Sequence, residues 1–368
     1  MCPIIVDLDY YPEKDIVLLL RLKSRRNINI IESIAEILTH SIGILCKHGY
    51  VKIFEIYGNS VKVAIDSVLI EHGNIARLMS VLNRVVSTVI DPAGNIRIED
   101  ISIPPSGLEY FKGPFNGVEG VRKILSVFDR PLIALKSYDT TIELNLVDIL
   151  LEDSLLSRER FSTEFKRIVS RTLYIADLSA LWNNMERSMR YLQDLGVGGI
   201  AVDISCIGWP FLSRLRELAE EFNLLLYAYG SHWMGNRISE RVYIYLLRLM
   251  GFDLINIGPL MSLSSYRLTQ LRYLADICRR TSLRERPSAR MLSKNFSNIK
   301  PAMPAVDYKL DPNLMSKIPR FLEQDVVLVL NEAVVSLEEI NEKLRAIKLA
   351  LEIIEEHSGS SSSKRVSL

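Results

Sequence analysis

The chain has 368 residues, long enough for two domains with well-buried cores, and its apolar fraction of 48% is that of an ordinary globular protein. Its 45 basic and 44 acidic residues leave a net charge of +1, which gives no electrostatic footprint for nucleic acid or an anionic membrane. Cys2, Cys46, Cys206 and Cys278 form no CxxC pair or zinc spacing, no apolar h-region follows Met1, and no apolar run reaches the length of a membrane span, so a cytoplasmic protein with reduced thiols is expected.

The run Ile16–Ser24 reads as a buried strand, and Ile31, Ile34, Ile37 and Leu38 give the next segment helical spacing. Arg21–Arg26, like Arg279–Arg286 further on, reads as a solvated charged face. Tyr50–Tyr57 and Val61–Ile70 flank Gly58-Asn59, a hairpin signal. Asn74 can cap a helix to about Val89 whose apolar face is Ile75, Leu78, Val81, Leu82 and Val85, and Asn95–Ile103 is a further strand. The order β-α-β-β-α-β is the ferredoxin-like arrangement.

From Pro104 to Lys136 the chain reads PPSGLEYFKGPFNGVEGVRKILSVFDRPLIALK. Pro104, Pro105 and Pro114 with Gly107, Gly113 and Gly117 force turns, and a helix over Val118–Phe128 follows, so this is the joint between two domains. Beyond it strands are expected at Leu132–Leu135, Val147–Leu151, Leu173–Ala176, Gly199–Ile204, Leu224–Tyr229, Leu254–Ile257, Ala302–Val306 and Val326–Leu330. The clearest helices between and after them are Ala180–Leu195, Phe211–Phe222, Ile238–Met250, Tyr266–Arg280 and Leu337–Glu356. Eight short apolar strands predict a (β/α)8 TIM-type barrel, with chemistry at the strands' C-terminal ends. Few residues separate Leu135 from Val147, so the first elements of the barrel are shortened. The expected fold class is therefore α/β: a ferredoxin-like α+β domain with its linker helix (1–128), the barrel (129–357), and a disordered Ser-rich tail (358–368).

The joint, preceded by NIRIEDISI and followed by DRPLIALK, resembles the large subunit of ribulose bisphosphate carboxylase (RuBisCO), whose IRIPP-like, FKGP-like, GIEGVR-like and RPL segments occur in this order. The resemblance extends through HGNIARLMSVL (His72–Leu82), LGVGGIAVDI (Leu195–Ile204) and FNLLLYAYGSH (Phe222–His232), and so covers most of the chain. It implies a homodimer, a Mg²⁺ cofactor, bases that enolise a sugar, and two phosphate sites.

The positions that should carry this chemistry depart from the family's pattern. In place of a KDDE-like run stand Leu151, Glu152, Asp153 and Ser154, so the carbamate-bearing lysine is replaced by Leu151 and a glutamate ligand by Ser154. After the first barrel strand Tyr138 takes the place of a catalytic lysine, with Lys136 as a displaced candidate. After the fifth, Tyr227-Ala228-Tyr229-Gly230 replaces an HxHR-like element, with His232 nearby. The loop Gly258–Ser265 has no lysine, and the phosphate sites are replaced by Asp307-Tyr308-Lys309 and Asn331-Glu332-Ala333, whose acids would repel a bisphosphate. Thr39 stands where a catalytic glutamate is expected.

Three readings follow. The first is a RuBisCO-like pseudoenzyme that fixes no CO2 and acts as a binding or assembly subunit, as a homodimer or in association with an active carboxylase. The second is a Mg²⁺-dependent enolase or isomerase on a sugar-phosphate-like substrate, with Glu152, Asp153 and Asp203 as metal candidates and Lys136 and His232 as catalytic ones. The third is carboxylation itself. Asp177 and Asp307 are further strand-end acids, and Trp182, Trp209, Trp233, Tyr229 and Tyr308 are candidates to line or plug the barrel mouth. No nucleic-acid or membrane partner is expected.

Overall fold

The computed structural model describes residues 4–23, 29–42, 50–88, 95–136, 143–152, 172–178, 184–230, 237–260, 264–296, 298–308, 318–331 and 337–362. The first sheet contains β1 (Ile4–Val6), β2 (Ile16–Lys23), β3 (Val51–Tyr57), β4 (Ser60–Ile65) and β5 (Asn95–Ser102), in the order β1-β3-β4-β2-β5. Helices α1 (Ile30–Ile42) and α2 (Ile75–Ser87) supply the two crossovers of the expected β-α-β-β-α-β unit. Strand alternation sends Ile16, Leu18, Leu20 and Leu22 into one core with Ile34, Ile37 and Leu38 of α1 and Leu78 and Leu82 of α2. Asn74 caps α2, its Oδ1 accepting the Arg77 N–H at 3.0 Å.

Two local readings change. β1 is an additional edge strand, parallel to β3. β4 stops at Ile65 rather than Ile70, because the Asp66 side chain accepts the Val68 N–H and opens a 3-10 segment over Ser67–Gly73.

The joint begins with a single turn, α3 (Pro105–Leu108), and continues into α4 (Gly117–Leu125). The second sheet is a closed, fully parallel barrel of β6 (Leu132–Lys136), β7 (Ile149–Glu152), β8 (Leu173–Asp177), β9 (Gly199–Asp203), β10 (Leu225–Tyr229), β11 (Leu254–Leu260), β14 (Met303–Tyr308) and β15 (Val327–Asn331). β15 closes on β6 with Val327 opposite Leu132. All eight strands fall on the runs expected from the sequence.

Helices α5 (Met185–Asp194), α6 (Trp209–Glu221), α7 (Glu240–Met250), α8 (Ser265–Arg279) and α9 (Ile318–Leu322) lie between successive strands from β8 onward. A two-stranded hairpin, β12 (Ser282–Leu283) with β13 (Lys294–Asn295), is inserted between α8 and β14; the sequence pattern carries no sign of it. Between β6 and β7 the described residues hold only a 3-10 turn, Leu144–Leu146, in accord with a shortened first crossover. The last helix, α10 (Leu337–Ser362), runs past Ser358, where the sequence reading starts a disordered tail; serine lowers helix propensity without forbidding it. No helix among the described residues is long and apolar enough to cross a membrane.

Helix α4 is the floor of the barrel. Val121, with Val118 and Leu125, packs into the same cluster as Leu132, Ile149, Leu254, Met303 and Val327, residues at the starts of five strands. Hydrogen bonds fix it there. Asp253, 1% exposed, accepts the N–H groups of Asn116 and Gly117 at Oδ1, both at 2.8 Å, and that of Leu226 at Oδ2, 3.1 Å. Gly117 has φ +65°, and a Cβ there would lie 2.7 Å from the Pro301 carbonyl oxygen, so the close approach requires glycine. At the other end of α4, the buried Arg122 guanidinium donates to the carbonyls of Val127, Arg130 and Gln324 and to Asp325. Arg130 in turn grips Asp148 with two bonds of 2.8 Å, linking the joint to the base of β7.

Candidate active site

Along several barrel strands the inward positions change from apolar to polar toward the C-terminal end. On β6 they are Leu132, Ala134 and Lys136; on β8, Leu173, Ile175 and Asp177; on β10, Leu225, Tyr227 and Tyr229; on β14, Met303, Ala305 and Asp307. The polar ends of these strands, with Asp203 of β9 and Asn256 of β11, form the described part of the mouth.

These side chains are joined into a belt. The Tyr229 hydroxyl reaches across β9 and donates to Asp177 Oδ2 at 2.5 Å. Its ring stacks on Tyr227, with centroids 5.9 Å apart and planes at 27°. Asn256 Nδ2 donates to the Tyr227 hydroxyl at 3.1 Å and to Asp307 Oδ1 at 3.0 Å, while its Oδ1 accepts the Gly258 N–H at 2.7 Å. Both donors and the acceptor of the Asn256 amide are thus in use. Burial and the nearby Asp307 carboxylate push the Tyr227 phenol well above its ordinary pKa, so it stays protonated. The belt spans five neighbouring strands, from β8 to β14.

Lys136 and Asp203 stand beside the belt. The Lys136 ammonium lies 5.4 Å from the Tyr229 ring centroid, within cation–π range. Asp203 Oδ1 accepts both the N–H and the hydroxyl of Ser205, at 2.8 and 2.6 Å, a turn-capping arrangement. Gly230 has φ +82°, and a Cβ there would fall 2.2 Å from Asp203 Oδ1, so the chain after β10 turns against this carboxylate.

Leu151 is 5% exposed and lies in the barrel's apolar interior, between Lys136 and Ile175 in the strand register. Its side chain offers only hydrocarbon at the position that the resemblance assigns to a carbamate-bearing lysine. Glu152 closes β7. Tyr138, Asp153, Ser154, Trp182, His232, Trp233, Lys309, Glu332 and Ala333 lie outside the described residues. The mouth therefore brings Lys136, Asp177, Asp203 and Asp307 to one end of the barrel, together with Asn256, which the sequence reading did not single out.

Two expected mouth aromatics are elsewhere. Tyr308 is buried in the core outside the barrel interior, since alternation turns it away when Asp307 faces in. Trp209 opens α6 and stacks on Tyr243 of α7, centroids 6.0 Å apart. Thr39 spends its hydroxyl on the Ala35 carbonyl of its own helix, at 2.8 Å.

Magnesium needs several hard oxygen ligands converging on one point. Among the described residues no three His, Cys, Asp or Glu side chains converge in this way. Leu151 has no donor atom, and one Asp203 oxygen already serves Ser205. Of the expected ligands Glu152, Asp153 and Asp203, only the Asp203 side chain lies among the described residues.

No protein-family model matches the chain. Among curated proteins it is similar to the ribulose bisphosphate carboxylase of Methanosarcina mazei, 27% identical over 307 aligned residues that cover 73% of this chain and 71% of the relative. The protein of the same name from Pyrococcus furiosus is 24% identical over an alignment of 370 residues, covering 88% and 84%. Among solved structures, the dimeric archaeal Rubisco from Hyperthermus butylicus superposes with a TM-score of 0.82 at 24% identity, covering 96% of this chain and 93% of that one. The octameric Rubisco from Pyrococcus horikoshii gives 0.79 at 22% identity, covering 96% and 92%. At these identities the structural likeness bears on the fold.

Proposed function

Because the chain is a divergent member of the ribulose bisphosphate carboxylase family, we propose that it keeps that family's scaffold without its carboxylation chemistry and serves as a binding or assembly subunit. The observation that carries this reading is Leu151. At the position the resemblance gives to the metal-binding carbamate, a buried aliphatic side chain completes the barrel core. A leucine cannot form a carbamate, and without one the enolising site lacks a metal ligand.

The belt supports the same reading. A carboxylate that accepts a phenol hydrogen bond at 2.5 Å, or an amide with every donor committed, is already part of the fold. Asp307, at the strand end where the resemblance calls for an anion site, would repel a phosphate. The homodimer and the association with an active carboxylase belong to this proposal, as does the cytoplasmic location.

The test is a carboxylation assay on the purified chain with Mg²⁺, ribulose bisphosphate and labelled bicarbonate, alongside calorimetric titration of the bisphosphate. No fixation above the protein-free background and no saturable heat are expected. Fixation that scales with protein concentration overturns the proposal. Saturable bisphosphate binding without fixation would instead support the enolase or isomerase reading, for which the Tyr229–Asp177 pair beneath Lys136 is the described proton-bearing group.

A further inference from the structure

The helices of the first sheet cover one of its faces. Over the other, the segment around Leu8–Glu13 crosses from β1 toward β2, and the β12–β13 hairpin approaches from the barrel. Between them lies a cleft of about 700 Å³, a volume ordinary for a small-molecule site. None of the barrel-mouth residues described above lines it.

Its chemistry is acidic and aromatic. Glu13, Asp15, Glu55 and Glu285 line it together with Lys62 and Lys294, and Lys62 is paired with Glu55 and Glu285. Lys294 is neutralised from behind by Asp100, so negative charge is in excess. Tyr10, Tyr11, Phe54 and Tyr57 supply the rings. Asp15 is buried, and its two oxygens accept the hydroxyls of Tyr10 at 2.5 Å and Tyr50 at 2.7 Å, which fixes a carboxylate in the wall.

Two of the chain's own ammonium groups show what this surface attracts. Lys52 Nζ stands 3.6 Å from the centroid of the Tyr10 ring. Lys62 Nζ lies 5.5 Å from that of Tyr57, held by Glu55 and by Glu285 at 2.6 Å.

We propose that this cleft binds a small organic cation, an amine or guanidinium compound with an apolar body. The ring faces and carboxylates attract its charge, and the aromatic walls take its body. The same charge excludes carboxylates and phosphates.

Calorimetric titration of the full chain tests this with tyramine and agmatine as probes and 4-hydroxyphenylacetate as the anionic counterpart of tyramine. Saturable binding of at least one cation is expected, with none of the anion. The Glu285→Gln and Tyr11→Ala variants should each weaken it about tenfold or more. Tyr11 is 79% exposed, so its truncation leaves the core intact, and an unchanged thermal melt identifies variants that fold. The proposal is overturned if neither cation binds, if the anion binds as well as tyramine, or if binding is unchanged in either folded variant. None of these outcomes bears on the barrel mouth, so the two proposals fail separately.

Discussion

Lys294 Nζ donates to Asp100 Oδ1 at 2.7 Å, and both side chains are 0% exposed. Asp100 belongs to β5 of the first sheet and Lys294 to the hairpin inserted between α8 and β14, so the pair is a buried rivet between the first sheet and that hairpin. A bulge that leaves Glu99 unpaired in the β2–β5 register brings Asp100 to this place. The remaining capacity is filled by the Leu292 and Ile101 N–H groups on Asp100 and by the Ile101 carbonyl on Lys294. Removing one partner strands a buried charge, which costs about 3–5 kcal/mol. Lys294→Met and Asp100→Asn are each expected to lower the denaturant midpoint strongly. The double variant should cost less than the two together by about 0.5–3 kcal/mol. Strict additivity in a double-mutant cycle would mean that the pair does not act as a unit.

Asp253 is a second buried anchor, with backbone N–H groups as its hydrogen-bond donors. Burial raises its pKa, against the pull of the three N–H groups and Arg216. In Asp253→Asn the amide oxygen can keep Asn116 and Gly117, but the NH2 then faces the Leu226 N–H, donor against donor. A loss of about 1–3 kcal/mol is expected at neutral pH from urea unfolding. The raised pKa gives the sign of the pH dependence. The folded chain holds this proton to higher pH than the unfolded chain, so the residue's own contribution falls as pH rises between the two values. Asp253→Asn should remove that component; a variant as stable as the parent at neutral pH would show that the N–H groups have other acceptors.

Glu55 gives the opposite slope. Burial alone would raise its pKa, but the hydrogen bonds from Lys62 and Tyr57 outweigh it and hold the carboxyl below the usual glutamate range. Its contribution is therefore complete above the ordinary value of about 4.3 and is lost as pH falls through the lowered folded value. Urea midpoints of the parent and of Glu55→Gln, measured from pH 7 down to 3, should converge on the acid side. Parallel curves would show that Glu55 does not titrate differently on folding.

The barrel was legible because each strand is a short apolar run between polar stretches, and that pattern needs no knowledge of neighbours. Several strands extend further at their C-terminal ends than the apolar runs do, since Asp177, Asp307 and Asn331 still pair in the ladder. The missed elements are those whose partners alone define them. β1 has three residues, and β12 and β13 have two each, too few for a period. The belt was invisible for the same reason, because its members come from four strands spread along the chain. One signal was present: Asn256 sits two residues after Leu254 in the run LINI, a polar side chain on the inward face of a buried strand. The buried Arg248 also escaped notice. Its guanidinium is satisfied by the carbonyls of Ile277, Arg280, Ile299 and Lys300, an arrangement no charge pattern announces.

The seating of α4 has a bearing on how the molecule comes into being. Its anchors, Asp253 and the Pro301 carbonyl that accepts the Val118 N–H, lie far downstream in the chain. On the ribosome the helix emerges long before the walls it closes, with its apolar face uncovered. The first sheet can assemble early, but its connection to the rest must wait for a late, long-range closure, the kind of contact that slows folding.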